Sequence, residues 1–140
     1  MFSVIIPLKY FHNYLEPCFR SIYSQTYKPK EIIFIFNNSN KKVKEFTYYF
    51  SNKFFNSIKL KYLESQKPGP GDARNKGFLN SQEKFLAFLD SDDFWNRKKL
   101  DFQINYMKKN NFSASHTSYK IVDINKNYLS TRYAFNLNYK

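Results

Sequence analysis

Three carboxylates stand at the end of an apolar run: Phe85-Leu86-Ala87-Phe88-Leu89 leads directly into Asp90-Ser91-Asp92-Asp93. Carboxylates held this close repel one another unless a cation or a proton intervenes. Hard oxygen donors of this kind suit Mg²⁺ or Mn²⁺, and Mg²⁺ is commonly held by one or two carboxylates together with substrate phosphates. The chemistry they point to is a divalent metal gripping a phosphorylated donor at the carboxyl end of a buried strand. The competing reading is a solvated acidic turn capping a helix that starts near Asn96, because Asp is a common turn and N-cap residue. The elements around the turn decide between the two.

Phe2–Pro7 is a short, β-branched apolar run ended by a proline and Glu31–Phe36 a run of continuous hydrophobics, and both read as strands, the first of them buried. Ile58–Leu63 alternates apolar and polar residues and reads as a third strand nearer the sheet edge, and Phe85–Leu89 as a fourth. Between them lie helical stretches, over Leu15–Gln25 with Pro17 in the first turn, over 42–54 with weak caps, and over about Asp72–Asn80. The segment Lys67-Pro68-Gly69-Pro70-Gly71 is too rich in Pro and Gly for regular structure. A helix over Arg97–Asn110 follows, then two strands, Ala114–Ile124 and Tyr128–Tyr133. This alternation predicts an α/β fold with a mostly parallel, doubly wound sheet in a single domain over residues 1–140. Ligands of such sheets bind beyond the carboxyl ends of the strands. The loops Leu8–His12, Asn37–Asn40, Gly69–Arg74 and Asp90–Asp93 are therefore expected to meet on one rim.

Composition narrows the class. The formal net charge is +12, which favours polyanions: nucleic acid, acidic lipid headgroups or phosphorylated small molecules. The lysines are scattered and form no groove-reading helix, so no nucleic-acid partner is expected, and weak peripheral contact with anionic membrane is. No stretch approaches the roughly 18 apolar residues of a membrane span. The start, Met-Phe-Ser-Val-Ile-Ile-Pro, lacks a basic leader region and is not read as a signal peptide. The lone Cys18 reads as a buried small hydrophobe, and a reducing, cytoplasmic setting is expected.

Other nucleotide and metal sites are excluded by what is missing. The first strand ends in Pro7-Leu8-Lys9 without the glycines of a dinucleotide fold, and no Gly-Lys-Ser/Thr marks a P-loop. Asp90–Trp95 lacks the glycine and distal glutamate of an EF-hand, and no Cys/His spacing suits zinc. His12 and His116 are lone histidines, read as structural or solvent-facing.

Several segments, in order, resemble glycosyltransferase family 2 with the GT-A fold: Ser3-Val4-Ile5-Ile6-Pro7, Ser21–Tyr27, Gly69-Pro70-Gly71-Asp72-Ala73-Arg74-Asn75-Lys76-Gly77, and Phe88–Trp95 with its Asp-x-Asp element. The resemblance covers roughly residues 2–125 and implies a nucleoside diphosphate sugar, UDP-linked, held with Mn²⁺ or Mg²⁺. It implies Asp90 near the donor ribose, and Asp92 with Asp93 at the metal bridging the diphosphate. It implies Arg74 at the nucleotide, the alternative being a surface helix cation paired with Asp72 or the Asp cluster. Asn37 or Asn38 is implied at the base, and Pro7 and Leu8 approach it through backbone atoms. The acceptor is then a glycan or a lipid-linked glycan, in bacterial surface glycan assembly at the cytoplasmic face of the membrane.

The chain also departs from that family. Leu8-Lys9-Tyr10 stands where the family has Thr/Ser-Tyr-Asn, and Asn37-Asn38 where it has two aspartates. An Asn carbonyl still accepts from an imide N–H but lacks charge assistance. The family's acceptor site and general base lie well downstream of the metal motif. After Asp93 no acid pair is evident, and Asp123, on a strand beside Val122 and Ile124, is not assigned as the base. The expectation is an inverting transferase's donor-binding portion that lacks its acceptor half and turns over poorly or not at all alone. The competing readings are a non-catalytic binding module of the same fold and a nucleotidyltransferase. The latter would want a glycine-rich basic loop after strand one, and Leu8–Asn13 contains no glycine.

Overall fold

The computed structural model describes residues 1–134; the end of the expected domain, 135–140, lies outside the described residues. In chain order the elements are β1 (Phe2–Leu8), α1 (Leu15–Tyr23), β2 (Glu31–Asn37), α2 (Lys41–Phe54), β3 (Lys59–Ser65), α3 (Pro70–Asn80), β4 (Phe85–Phe88), α4 (Lys99–Asn110), β5 (Tyr119–Val122) and β6 (Tyr128–Arg132). They fall into two compact units, one spanning Met1–Asp101 and one that starts at Phe102, within α4.

The first unit holds a four-stranded sheet in the order β3-β2-β1-β4, with every neighbouring pair parallel. The chain winds outward from β1 through β2 to β3, then α3 carries it back across to the other side of β1. The strand order thus reverses between β1 and β4, the place where an open α/β sheet leaves a crevice at its carboxyl rim. The predicted α/β architecture is the observed one.

β1 and β2 are predominantly apolar, Ser3, Glu31 and Asn37 excepted, because both of their faces are covered. On one face Ile5, Ile33, Ile35 and Ala73 form a buried cluster with Leu63 and Leu86 against it, so α3 lies on that side. There Gly77 comes so close to β1 that a Cβ would sit 2.4 Å from Ile5 Cγ2. On the other face an aromatic layer takes over, where Phe19 of α1 and Phe50 of α2 lie 5.4 Å apart at the ring centroids and Phe19 lies 5.2 Å from Phe34. Tyr62 stacks on Phe34 at 5.5 Å and its hydroxyl meets Ser51 Oγ at 2.6 Å, which satisfies the polar tip. Part of the high aromatic content is therefore core volume, namely Phe2, Phe19, Phe34, Phe36, Phe50 and Phe55, whereas many of the remaining rings are exposed.

Several boundaries differ from the sequence reading. α3 begins at Pro70 rather than near Asp72, because a proline at the first helical position lacks only an N–H that the helix would leave unpaired. Gly69 precedes it at φ 110°, a conformation that favours glycine. α2 is capped, not weakly capped: Asn40 Oδ1 accepts from Val43 N at 3.1 Å. α1 ends at Tyr23, and Gln25 instead spends its side chain on Asn96 O, Ser21 O and Leu100 N. β4 was expected to be buried but is half-buried, with Phe88 46% exposed, because it forms an outer edge of the sheet among the described residues. In the second unit β5 covers only Tyr119–Val122, since the polar stretch Ser113–Ser118 offers no apolar alternation. Asp123 is not on a strand. It builds a turn, accepting from Asn125 N, Asn127 N and Asn127 Nδ2 at 2.8 to 3.0 Å.

Candidate functional site

The carboxylate turn hangs from β4 and is closed by a hydrogen bond from Asp93 N to Asp90 O at 3.1 Å. Leu89 N continues the ladder to Ile5 O, so the turn starts at a fixed height beside β1. From beneath, the buried Cys18 thiol of α1 donates to Asp90 O at 3.6 Å. Burial, followed by the charges of Asp93, Asp92 and Asp90, pushes that thiol far above its ordinary range, so it stays neutral. Partial burial also raises the Asp93 carboxyl, and the charges of Asp92 and Asp90 add to the effect. An acidic turn strained by its own charge gains from any cation that comes to it.

Arg74 already supplies one. Its Nη2 lies 2.6 and 2.8 Å from the two carboxylate oxygens of Asp90. Asp90 is thereby turned toward α3, while Asp92 has no ion pair among the described residues and lines the cavity. Pairing with the Asp cluster, the alternative read for Arg74 from sequence, and a place beside the site are compatible in this geometry.

Opposite the turn stands Asn37, the last residue of β2 and nearly fully buried. Its Nδ2 donates toward Ser65 Oγ, Lys67 O and Gly69 O at 3.1, 2.9 and 3.1 Å. Carbonyl oxygens only accept, so these partners fix which end of the amide is the nitrogen. Ser65 in turn donates its proton to Asp72 Oδ2 at 2.5 Å, leaving its lone pairs for Asn37. The amide oxygen of Asn37 is buried and has no hydrogen-bond partner among the described residues. Ser39 Oγ donates to Leu8 O at 2.6 Å and ties the second loop to the first.

These loops enclose a cavity of about 320 Å³ at the rim of the first unit. Of the residues expected to form a site, Pro7, Leu8, Asn37, Asp90 and Asp92 line it, and Arg74 joins through Asp90. Asn38 does not: it is exposed, in the left-handed region at φ 49°. Asp93 is not part of the lining either. His12, read from sequence as structural or solvent-facing, does line the cavity, and its Nε2 lies 3.1 Å from Ser91 Oγ. Lys9, Tyr10, Ser91, Gly69 and Pro70 complete the wall. The available signal was position: Lys9, Tyr10 and His12 all follow the carboxyl end of β1.

Among the described residues no group of three or more His, Cys, Asp or Glu side chains is gathered to hold a metal by itself. The donor set instead suits a cation that takes one or two carboxylates and completes its shell from ligand phosphates.

The sequence pattern described as glycosyl transferase family 2 matches residues 3–140. A protein of Rickettsia bellii called an uncharacterized glycosyltransferase is 37% identical over 92% of this chain and 18% of its own length. The Escherichia coli WfgD, a UDP-Glc:alpha-D-GlcNAc-diphosphoundecaprenol beta-1,3-glucosyltransferase, is 33% identical over 88% of this chain and 47% of its own. The chain thus spans between about a fifth and a half of the length of these relatives. The crystal structure of S. aureus TarS in complex with UDP superposes with a TM-score of 0.66 at 26% identity, over 77% of this chain and 32% of that one. A mannosyltransferase from Pyrobaculum calidifontis, in complex with GDP-Man and Mn²⁺, shares the fold with a TM-score of 0.67 at 19% identity.

Proposed function

We infer that this chain, which belongs to glycosyl transferase family 2, binds the nucleoside diphosphate of an activated sugar in the rim cavity, with a divalent cation. The observation that carries this reading is one cavity shared by the Asp90-Ser91-Asp92 turn and by Asn37, whose buried amide oxygen has no donor among the described residues. A buried acceptor without a partner costs about 1–3 kcal/mol. The imide N–H of a uracil base supplies the missing donor, which favours a UDP-linked sugar. Pro7 and Leu8 border the base, Asp90 stands at the ribose end, and Asp92 meets the metal, with Asp93 behind it.

Each residue then has a physical task. Arg74 holds the Asp90 carboxylate in place, and Cys18 supports its carbonyl without carrying charge. Asp92 would offer its oxygens to Mn²⁺ or Mg²⁺, and a cation bound there would supply Lewis-acid chemistry that offsets charge on a departing nucleoside diphosphate. Asp123 is committed to its own turn, so we assign no residue here to deprotonate an acceptor hydroxyl. Attack of that hydroxyl on C1 would break the C1–O bond to the departing nucleoside diphosphate in the same displacement and invert the anomeric centre, its proton passing to a base that lies on none of the residues assigned here. A glycan or lipid-linked glycan of the bacterial surface is the acceptor we propose, in keeping with the diphosphoundecaprenol-linked acceptor in the name of the E. coli relative. No helix of the described residues is long and apolar enough to cross a membrane. The net charge of +12 fits peripheral contact with an anionic cytoplasmic face.

The test is a calorimetric titration of UDP with and without Mn²⁺, on the parent chain and on Asp92→Ala. The affinity of the parent is expected to rise with the metal, and Asp92→Ala to lose that gain. Equal, metal-indifferent binding by both would overturn the metal assignment and leave a binding module of the same fold.

A further inference from the structure

His12 and Ser91 stand 79 residues apart in the chain, yet the imidazole Nε2 of one lies 3.1 Å from the hydroxyl oxygen of the other. The two residues come from the loops after β1 and β4, which flank the reversal in strand order, and both line the rim cavity. The remaining ring nitrogen, Nδ1, is buried without a hydrogen-bond partner among the described residues. A neutral imidazole has one donor and one acceptor, and a serine hydroxyl has a single proton to give. If Ser91 donated to His12, that proton would be used up, and the cavity would meet only lone pairs between two carboxylates. If Nε2 donates, the hydroxyl proton is free for the cavity.

We propose that His12 is a positioning residue: its Nε2–H holds Ser91 Oγ, so that the hydroxyl proton of Ser91 is presented to a phosphoryl oxygen of the bound nucleoside diphosphate. The segment Asp90–Asp92 then carries two unlike functions. Its carboxylates suit a cation, and the neutral hydroxyl between them gives a hydrogen bond to an anion that the carboxylates alone would repel. The turn is held independently of His12, by Asp93 N on Asp90 O and by Cys18 on the same carbonyl. Removing the imidazole therefore frees the hydroxyl without undoing the turn. The inference rests on the proposed reading of the cavity.

The experiment compares UDP with uridine, both in the presence of Mn²⁺, on the parent, His12→Phe, Ser91→Ala, the double variant and His12→Gln. UDP is titrated calorimetrically and uridine by displacement of UDP. His12→Phe and Ser91→Ala are each expected to weaken UDP about tenfold, the size of one hydrogen bond to a charged group. Uridine, which has no phosphate, keeps its affinity throughout. The double variant loses no more than the worse single one, and His12→Gln, which retains an N–H donor, recovers most of the loss. The inference is overturned if His12→Phe binds UDP as the parent does. It is equally overturned if UDP and uridine weaken together, if the two losses multiply, or if Gln does no better than Phe. A parent chain that does not bind UDP sinks the proposed function and this inference with it. A parent that binds, with unaffected variants, sinks this inference alone.

Discussion

Arg74 reaches Asp90 through one nitrogen, Nη2, which lies 2.6 Å from one carboxylate oxygen and 2.8 Å from the other. The contact joins the first turns of α3 to the turn after β4, two segments the sheet alone does not connect. The two side chains are 35% and 44% exposed, so solvent screens the pair and it contributes at most about 1 kcal/mol to stability. Arg74→Ala is accordingly expected to shift a urea unfolding midpoint only slightly while weakening UDP markedly. Urea melts and UDP titrations on the same preparation check this; a large stability loss with unchanged UDP affinity would make the pair purely structural.

Gly77 is where α3 touches the sheet. A Cβ there would lie 2.4 Å from Ile5 Cγ2 and 3.1 Å from Ile5 Cγ1. Ile5 is fully buried on a central strand, with neighbours on both sides, and has no room to yield. Gly77→Ala is expected to destabilise by about 1–3 kcal/mol through overpacking. Combined with Ile5→Ala it should cost less than the two single losses together, because the second change removes the clash. Chemical denaturation of the three variants measures the coupling.

Acid stability should report on Glu31, at the opposite end of the sheet from the cavity. Burial pushes its carboxyl up. Hydrogen bonds from Lys61 at 2.8 Å, from Ser3 at 2.6 Å and from Gln82 N at 3.0 Å, with the Lys61 charge, outweigh that and hold it below the usual carboxylate range. A carboxyl lowered on folding adds stability that is fully present above its unfolded value of about 4.3 and fades as pH falls through the lower folded value. Unfolding free energies measured from pH 7 to pH 3 should therefore fall for the parent below about pH 4.5. Glu31→Gln should start lower and lack that component of the slope.

The parts of this fold legible in the sequence are those governed by local pattern. β1 and β2 announce themselves because a strand covered on both faces is predominantly apolar, with Ser3 in β1 and the end residues Glu31 and Asn37 in β2 as the exceptions. The rim loops follow, since a parallel α/β sheet sends all of them to one edge. The start of α3 was hidden because Pro70 and Gly71 resemble a loop, although proline suits a first helical position. The half-buried state of β4 depends on its being an outer strand, a matter of topology and not of its own four residues. In the site, the Asp90–Asp93 turn is contiguous and visible, whereas His12 meets its partner 79 residues downstream and no spacing rule links them. Asn37 shows the same limit. Its place at a strand end is evident, but the three groups that orient its amide lie 28 to 32 residues further on.

That orientation makes a prediction about Asn37 itself. The resembled family has an aspartate in this region, yet here the side-chain nitrogen donates to two main-chain carbonyls, Lys67 O at 2.9 Å and Gly69 O at 3.1 Å. A carboxylate has no proton to offer them, and its charge would face their oxygens at hydrogen-bond distance. Asn37→Asp is therefore expected to unpair both carbonyls and to destabilise by about 1–3 kcal/mol for each that stays buried. The loss should be local, since Gly69 and Pro70 form the cavity wall and the start of α3. Hydrogen exchange is expected to speed up across Lys67–Ala73 while the amides of β1 and β2 keep their protection. A variant that exchanges like the parent in that segment would mean that the loop draws its order from other contacts, such as Ser65 with Asp72 at 2.5 Å.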